Sequence, residues 1–204
     1  MHRLAGGVGA TAAAIGLGCL LVSAQGGPQQ PRLAPEAQRA AVRELAALVS
    51  LPNVATSSAD IRRNAEYLTA ALTRRGFSMR TIETTRSPVL VGVRPGVPGA
   101  VGRPLALTVY CHYDGPPVPA EWRRYARSSS DDKGPIAALL TAIDLTAGPG
   151  RSIRPTIRVV LEGDEEAGSP VLEEALRAHA AEVATDLVIM MDGPRHASGR
   201  PTYD

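Results

Sequence analysis

LALTVYCHYDG (105–115), IRVVLEGDEEAGS (157–169) and DLVIMMDGP (186–194) decide how this chain is read. Each opens as a short apolar run and ends in groups that ionise or bind metal. The first runs into Cys111-His112-Tyr113-Asp114, the second into Asp164-Glu165-Glu166 and the third into Asp192-Gly193-Pro194. Between the first two lies Ser128-Ser129-Ser130-Asp131-Asp132-Lys133-Gly134-Pro135. Short apolar runs bounded by turn formers are buried strands. A lone ionised carboxylate at the end of such a strand is costly to desolvate. One His and several carboxylates gathered at one edge of a sheet therefore require a cation, and zinc accepts both imidazole nitrogen and carboxylate oxygen.

Helical spacing fills the intervals. Residues 36–49 carry Ala37, Ala40, Ala41, Leu45, Leu48 and Val49 on one face, and Pro52 closes that helix. Ser57 or Ser58 caps a second helix running to residue 75, with Gly76 as its stop. Strands are expected at 77–84, 88–94, 105–110, 155–162 and 186–191, and helices at 133–147 and 169–183, the last opened by Ser169 and Pro170. Strand, helix, strand, helix, strand is the signature of an α/β domain with a largely parallel sheet covered on both faces. Active groups in such sheets gather at the carboxyl ends of the strands, where the acidic motifs fall.

At 204 residues the chain holds about one domain. Its composition is 44% hydrophobic and only 3% aromatic, so aliphatic packing builds the core and stacking on bases or sugars is not its work. A net charge of +2 with no basic block argues against nucleic acid or an anionic membrane as partner. Lys133 is the only lysine among the 22 Lys and Arg residues, and it stands inside the acidic motif, which hints at a local role. Residues 1–24 read as a signal peptide, with His2 and Arg3 before an apolar stretch and Val22-Ser23-Ala24 as a cleavage site. Residues 25–34 read as a linker and 35–204 as the folded part. The expectation is an exported protein, periplasmic or extracellular, with no stable membrane span after cleavage. Cys111 is then its only cysteine and no internal disulfide forms.

His112 and Asp114 are two apart and project to one side of an extended segment. His112 can ligate a metal while Asp114 accepts its other ring N–H, fixing the tautomer. Asp131 stands where a loop becomes a helix and can bridge two cations, although Asp is also an ordinary helix cap. The adjacent Glu165 and Glu166 repel unless their roles differ: one binds metal, the other takes a proton from a water the cation has acidified. Asp192 ends the third strand, where Asp-Gly also forms turns. Singly each residue has an ordinary explanation; together they point to a metal site.

With those residues in hand the chain resembles the cocatalytic zinc exopeptidases and deacylases, a family that includes glutamate carboxypeptidase, carnosinase-type dipeptidases, acetylornithine deacetylase and succinyl-diaminopimelate desuccinylase. The resemblance spans residues 36–204 through H-Y-D, S-S-S-D-D-K-G-P, E-G-D-E-E-A-G-S and D-G-P in that order, and the wording HYDGPPV and DGPRHASGRP is similar to a dipeptidase-like branch. It implies a three-layer αβα zinc-exopeptidase-like catalytic domain. It also implies two zinc ions, with Co2+ or Mn2+ also accepted by such a carboxylate-rich site. His112 and Asp192 would hold the first, Asp131 would bridge, Glu166 would hold the second, Glu165 would be the general base and Asp114 would stand behind His112. The implied reaction is hydrolysis of a peptide or N-acyl amide bond in a small peptide or N-acyl amino acid. The family continues into a lid and dimerisation domain, through which a homodimer forms, and later supplies a His to the second zinc. On the resemblance this chain is the amino-terminal part, truncated before that lid; neither His179 nor His196 fits the late ligand. The stretch 119–126 is short where relatives in this branch carry a longer loop. The alternative expectation is an inactive relative that binds at most one zinc and acts as a binding protein.

Overall fold

Helix α1 (Pro35–Ser50) begins with Pro in its first turn, where a missing N–H costs nothing, and its C-cap Leu51 precedes Pro52. The structure is a computed structural model that describes residues 32–99, 102–116, 127–148 and 151–193. Helix α2 (Ser58–Thr73) is capped by Ser57, whose hydroxyl accepts the Asp60 amide at 3.4 Å. Gly76, at φ +84°, turns the chain into β1 (Ser78–Ile82). Strands β2 (Val89–Arg94) and β3 (Ala106–His112), helix α3 (Lys133–Ala147) and strand β4 (Thr156–Glu162) follow. Helices α4 (Leu172–Ala178) and α5 (Ala180–Val183) lead to β5 (Leu187–Met190).

The five strands form one sheet in the order β1-β2-β4-β3-β5. β4, β3 and β5 are parallel, while β2 pairs antiparallel with both β1 and β4. The fold is therefore α/β with a parallel half that carries the acidic motifs and an antiparallel hairpin beside it. Register sets His112 against Glu162, so β3 and β4 deliver their carboxyl ends side by side.

Alternation along the strands builds two cores. On one face Leu90, Val109, Cys111, Val159 and Leu161 pack with Leu48, Leu68, Leu72, Ile136 and Leu140 of the first three helices. On the other, Val89, Val91, Tyr110 and Val160 pack with Ala175, Leu172, Leu176 and Val183. Helices thus cover both faces, giving three layers.

One expected element changes. The helix over 169–183 is instead a 3-10 turn at Glu165–Ala167 followed by two helices that part at His179. Ser169 does not cap: it sits at φ +51° and its hydroxyl turns back to Glu162 (3.0 Å). Cys111 is buried and free. Among the described residues no helix is long and apolar enough to cross a membrane. The expected signal peptide, most of the linker, the 119–126 stretch and His196 lie outside the described residues.

Candidate metal centre

β3 carries His112 to the carboxyl edge of the sheet, where its side chain is fully buried. Nδ1 lies 3.2 Å from Asp114 Oδ1 and Nε2 lies 2.9 Å from Asp131 Oδ1. Nε2 is also 3.8 Å from Glu165 Oε2. Asp114, equally buried, accepts the backbone amides of Glu165 (3.2 Å) and Glu166 (3.0 Å). One carboxylate therefore orients the imidazole and fixes the turn that bears both glutamates, through charge-assisted bonds.

Burial works against a proton on His112, but Asp114, Asp132 and Asp131 outweigh it and raise its pKa to about 9. An ion bound at Nε2 has to displace that proton. Asp131 arrives on the turn after the 3-10 segment Arg127–Ser129, just before α3. The next residue, Asp132, is fully buried and accepts the His112 amide at 3.1 Å. Burial pushes its carboxyl up to about 7. This bond joins the strand end bearing His112 to the loop bearing Asp131.

His112, Asp131 and Asp192 each place a ligand atom within 4.8 Å of the others'. They are the one such group of three among the described residues. An imidazole held from behind by a carboxylate, with Asp131 on its far nitrogen and Asp192 beside them, is a donor set that fits one divalent ion. Glu165 borders this group through its 3.8 Å approach to His112, and Glu166 is tied to the same turn by its amide, but neither belongs to it.

Several residues at the site carried no role in the sequence reading. Glu162 is buried (1% exposed) and accepts the Tyr110 hydroxyl at 2.6 Å and the Ser169 hydroxyl at 3.0 Å; burial raises its pKa. Its only sequence signal was an acid closing an otherwise apolar run. Arg86, from the β1–β2 connection, pairs with buried Asp164. Gly163 is required by close approach: a Cβ there would meet Tyr113 Oη at 2.6 Å. Asn53 binds the Tyr113 carbonyl (3.0 Å) and Ser128 Oγ (3.1 Å), and no local pattern announced it.

No family model matches the sequence. Solved structures do. A metallo-carboxypeptidase of the M20 family from Sulfolobus solfataricus superposes with a TM-score of 0.67 at 27% identity, over 79% of this chain and 39% of its own. The fold is that of M20 metallopeptidases. The di-peptidase Dug1p of Saccharomyces cerevisiae follows at 0.66, with 19% identity over 78% of this chain and 40% of its own. Human carnosine dipeptidase 1 stands at 0.65 with 18% identity, over 78% and 39%. These neighbours match the family that the motifs resemble, and the chain spans about two fifths of their length.

Proposed function

We propose that this chain carries the metal-binding and water-activating part of a hydrolase that cleaves a peptide or N-acyl amide bond in a small substrate. The observation that supports it most is the convergence of His112, Asp131 and Asp192 within 4.8 Å, with Glu165 Oε2 3.8 Å from His112 Nε2. A divalent ion bound there would lower the pKa of a water and polarise the scissile carbonyl. His112, Asp131 and Asp192 would hold it, with zinc the best match and Co2+ or Mn2+ acceptable to the carboxylates. Asp114 keeps the imidazole in the tautomer that leaves Nε2 free to donate its lone pair. Glu165 takes the proton from the attacking water and returns it to the leaving amine. Glu166, on the same turn, would help to hold a second ion beside Asp131. Export through residues 1–24, and pairing of two copies through polypeptide outside the described residues, belong to the same proposal.

Glu165→Gln tests it. Hydrolysis of a dipeptide or N-acyl amino acid should fall roughly 10²–10⁴-fold, the usual contribution of a general base, while bound metal is retained. Unchanged turnover would remove Glu165 from the mechanism.

A second reading is favoured by one observation: three expected ligands form one group while Glu166 stands outside it. On that reading the chain binds a single ion and is an inactive binding protein. Metal analysis separates the two, with two ions per chain supporting the hydrolase and one ion without hydrolysis supporting the binder.

A further inference from the structure

Lys133 is the single lysine of the chain and its side chain is almost wholly buried, at 1% exposure. Among the described residues no carboxylate pairs with it. Nζ instead donates to the carbonyls of Leu48 (2.8 Å) and Leu51 (2.6 Å), at the C-terminal end of α1. A helix C-terminus exposes unsatisfied carbonyls and carries partial negative charge, so it is a fitting seat for an ammonium. An arginine would bring five N–H groups in a rigid plane to a seat with two acceptors. That accounts for lysine at this one position.

The same stretch of chain grips the metal loop a second time. Two residues beyond Leu51, Asn53 bonds with Ser128 Oγ in both directions (3.1 and 3.2 Å) and with the Tyr113 carbonyl. Its backbone carbonyl accepts the Gly115 amide at 2.8 Å, and the Ala55 amide donates to the Gly115 carbonyl at 2.9 Å. Ser128 and Lys133 bracket Asp131, and Tyr113 and Gly115 bracket Asp114. The loop folds back closely on itself: a Cβ on Gly134 would lie 2.7 Å from the Ser129 carbonyl oxygen.

We infer that residues 48–55 are the backing of the metal centre, with Lys133 and Asn53 as positioning residues that hold Asp131 against His112 Nε2. The inference rests on the metal-centre reading above. Neither residue belongs to the group of His112, Asp131 and Asp192. Each acts through the loop 128–133, so loss of either moves a ligand without removing one.

Three variants of the full chain test this: Lys133→Met, Asn53→Ala and Leu68→Ala, the last in α2 and outside the backing. The last is a control that removes a buried core side chain but keeps both carbonyls and the ammonium. Two signals are read. One is the ring 15N resonances of His112 in metal-free protein, since its Nε2 faces Asp131. The other is Co2+ affinity by absorption titration. Lys133→Met and Asn53→Ala are expected to shift the His112 resonances and to weaken Co2+ binding about tenfold or more, the scale of losing an outer-shell partner. Leu68→Ala should lower the unfolding temperature and leave both signals near wild type. Wild-type signals in Lys133→Met overturn the inference, and so does a Leu68→Ala protein in which both signals move as far. Should Lys133→Met not fold, Asn53→Ala decides alone by the same criteria. Should wild-type protein fail to take up Co2+, the metal reading falls, and the His112 resonances still decide whether the clamp positions Asp131.

Discussion

The two ends of the metal group rest on different foundations. His112 lies at the end of β3, which has a paired strand on either side, and its neighbours Asp114, Asp132 and Lys133 are all buried with hydrogen-bonding partners. Asp192 follows β5, which among the described residues pairs with β3 alone, over four residues. Leu187, Val188, Ile189 and Met190 are 61%, 50%, 41% and 59% exposed, and none carries the charge that usually guards a sheet edge. One half of the site is fixed by the core before any ion binds. The other is only as well placed as a lightly held strand allows, so ligand geometry there and pairing of β5 are one problem.

The sharpest way to break this contrast is to remove one carboxylate from each half. Asp114→Ala deletes the partner of His112 Nδ1 and the acceptor of two backbone amides, leaving buried donors unsatisfied. Metal affinity should fall about 10–100-fold, and metal-free protein should unfold at clearly lower temperature. Asp192→Ala should also lose affinity, yet leave the melting of metal-free protein nearly unchanged, because the side chain is exposed. Metal titration and calorimetry on the same samples check both. Equal losses of metal-free stability would erase the distinction between the halves.

A second, smaller effect isolates the buried half through pH. Burial lowers the Lys133 pKa from 10.5 to about 7. Between those values the unfolded chain binds more protons than the folded one, so this group makes stability rise with pH. Its slope is at most about 1.4 kcal/mol per pH unit, the value for one proton. His112 has the opposite sign: its raised pKa favours the fold below 6.5 and that gain is lost as pH climbs through about 9. The difference between wild type and Lys133→Met, followed by denaturant unfolding up to pH 10.5, reports the lysine contribution above about pH 9, where His112 has lost its proton. A flat difference would mean that the ammonium keeps its charge in the fold.

What the sequence showed and what it hid divide along the same physical line. Apolar runs ending in acids are local patterns, so the three strands, their carboxyl edge and the group His112, Asp131 and Asp192 could be read from residue types in order. The strand order β1-β2-β4-β3-β5 could not, because register is set by packing between segments far apart in the chain. Ser169 was misread for a different reason: the residue types that cap helices also tolerate tight turns, and a buried acceptor seven residues back decided between them. Asn53 and Lys133 contribute through bonds to backbone carbonyls 60 and 85 residues away, and a carbonyl leaves no trace in the letters of a sequence. The lone lysine among arginines was the one outward sign.

The finest adjustment concerns how β5 is anchored. Asp186, just before the strand, accepts from both terminal guanidinium nitrogens of Arg103 (2.7 and 2.6 Å) and from the Ala106 amide (2.8 Å), tying the start of β5 to the start of β3. Arg103, with the Ala106 amide, holds its carboxyl at about 2, so the tie is complete above pH 3.8 and is lost as pH falls toward 2. Asp186→Asn keeps the shape and removes the charge. Because the pair is solvent-accessible, global stability should barely move. The β5 amides, by contrast, should exchange with solvent several-fold faster (about the scale of one weakened local contact), while those of α1 and α3 hold their rates. Exchange that quickened across all three layers would show β5 to be part of the main cooperative unit. Asp192 would then be held as firmly as His112, and the asymmetry of the site would lie in exposure alone.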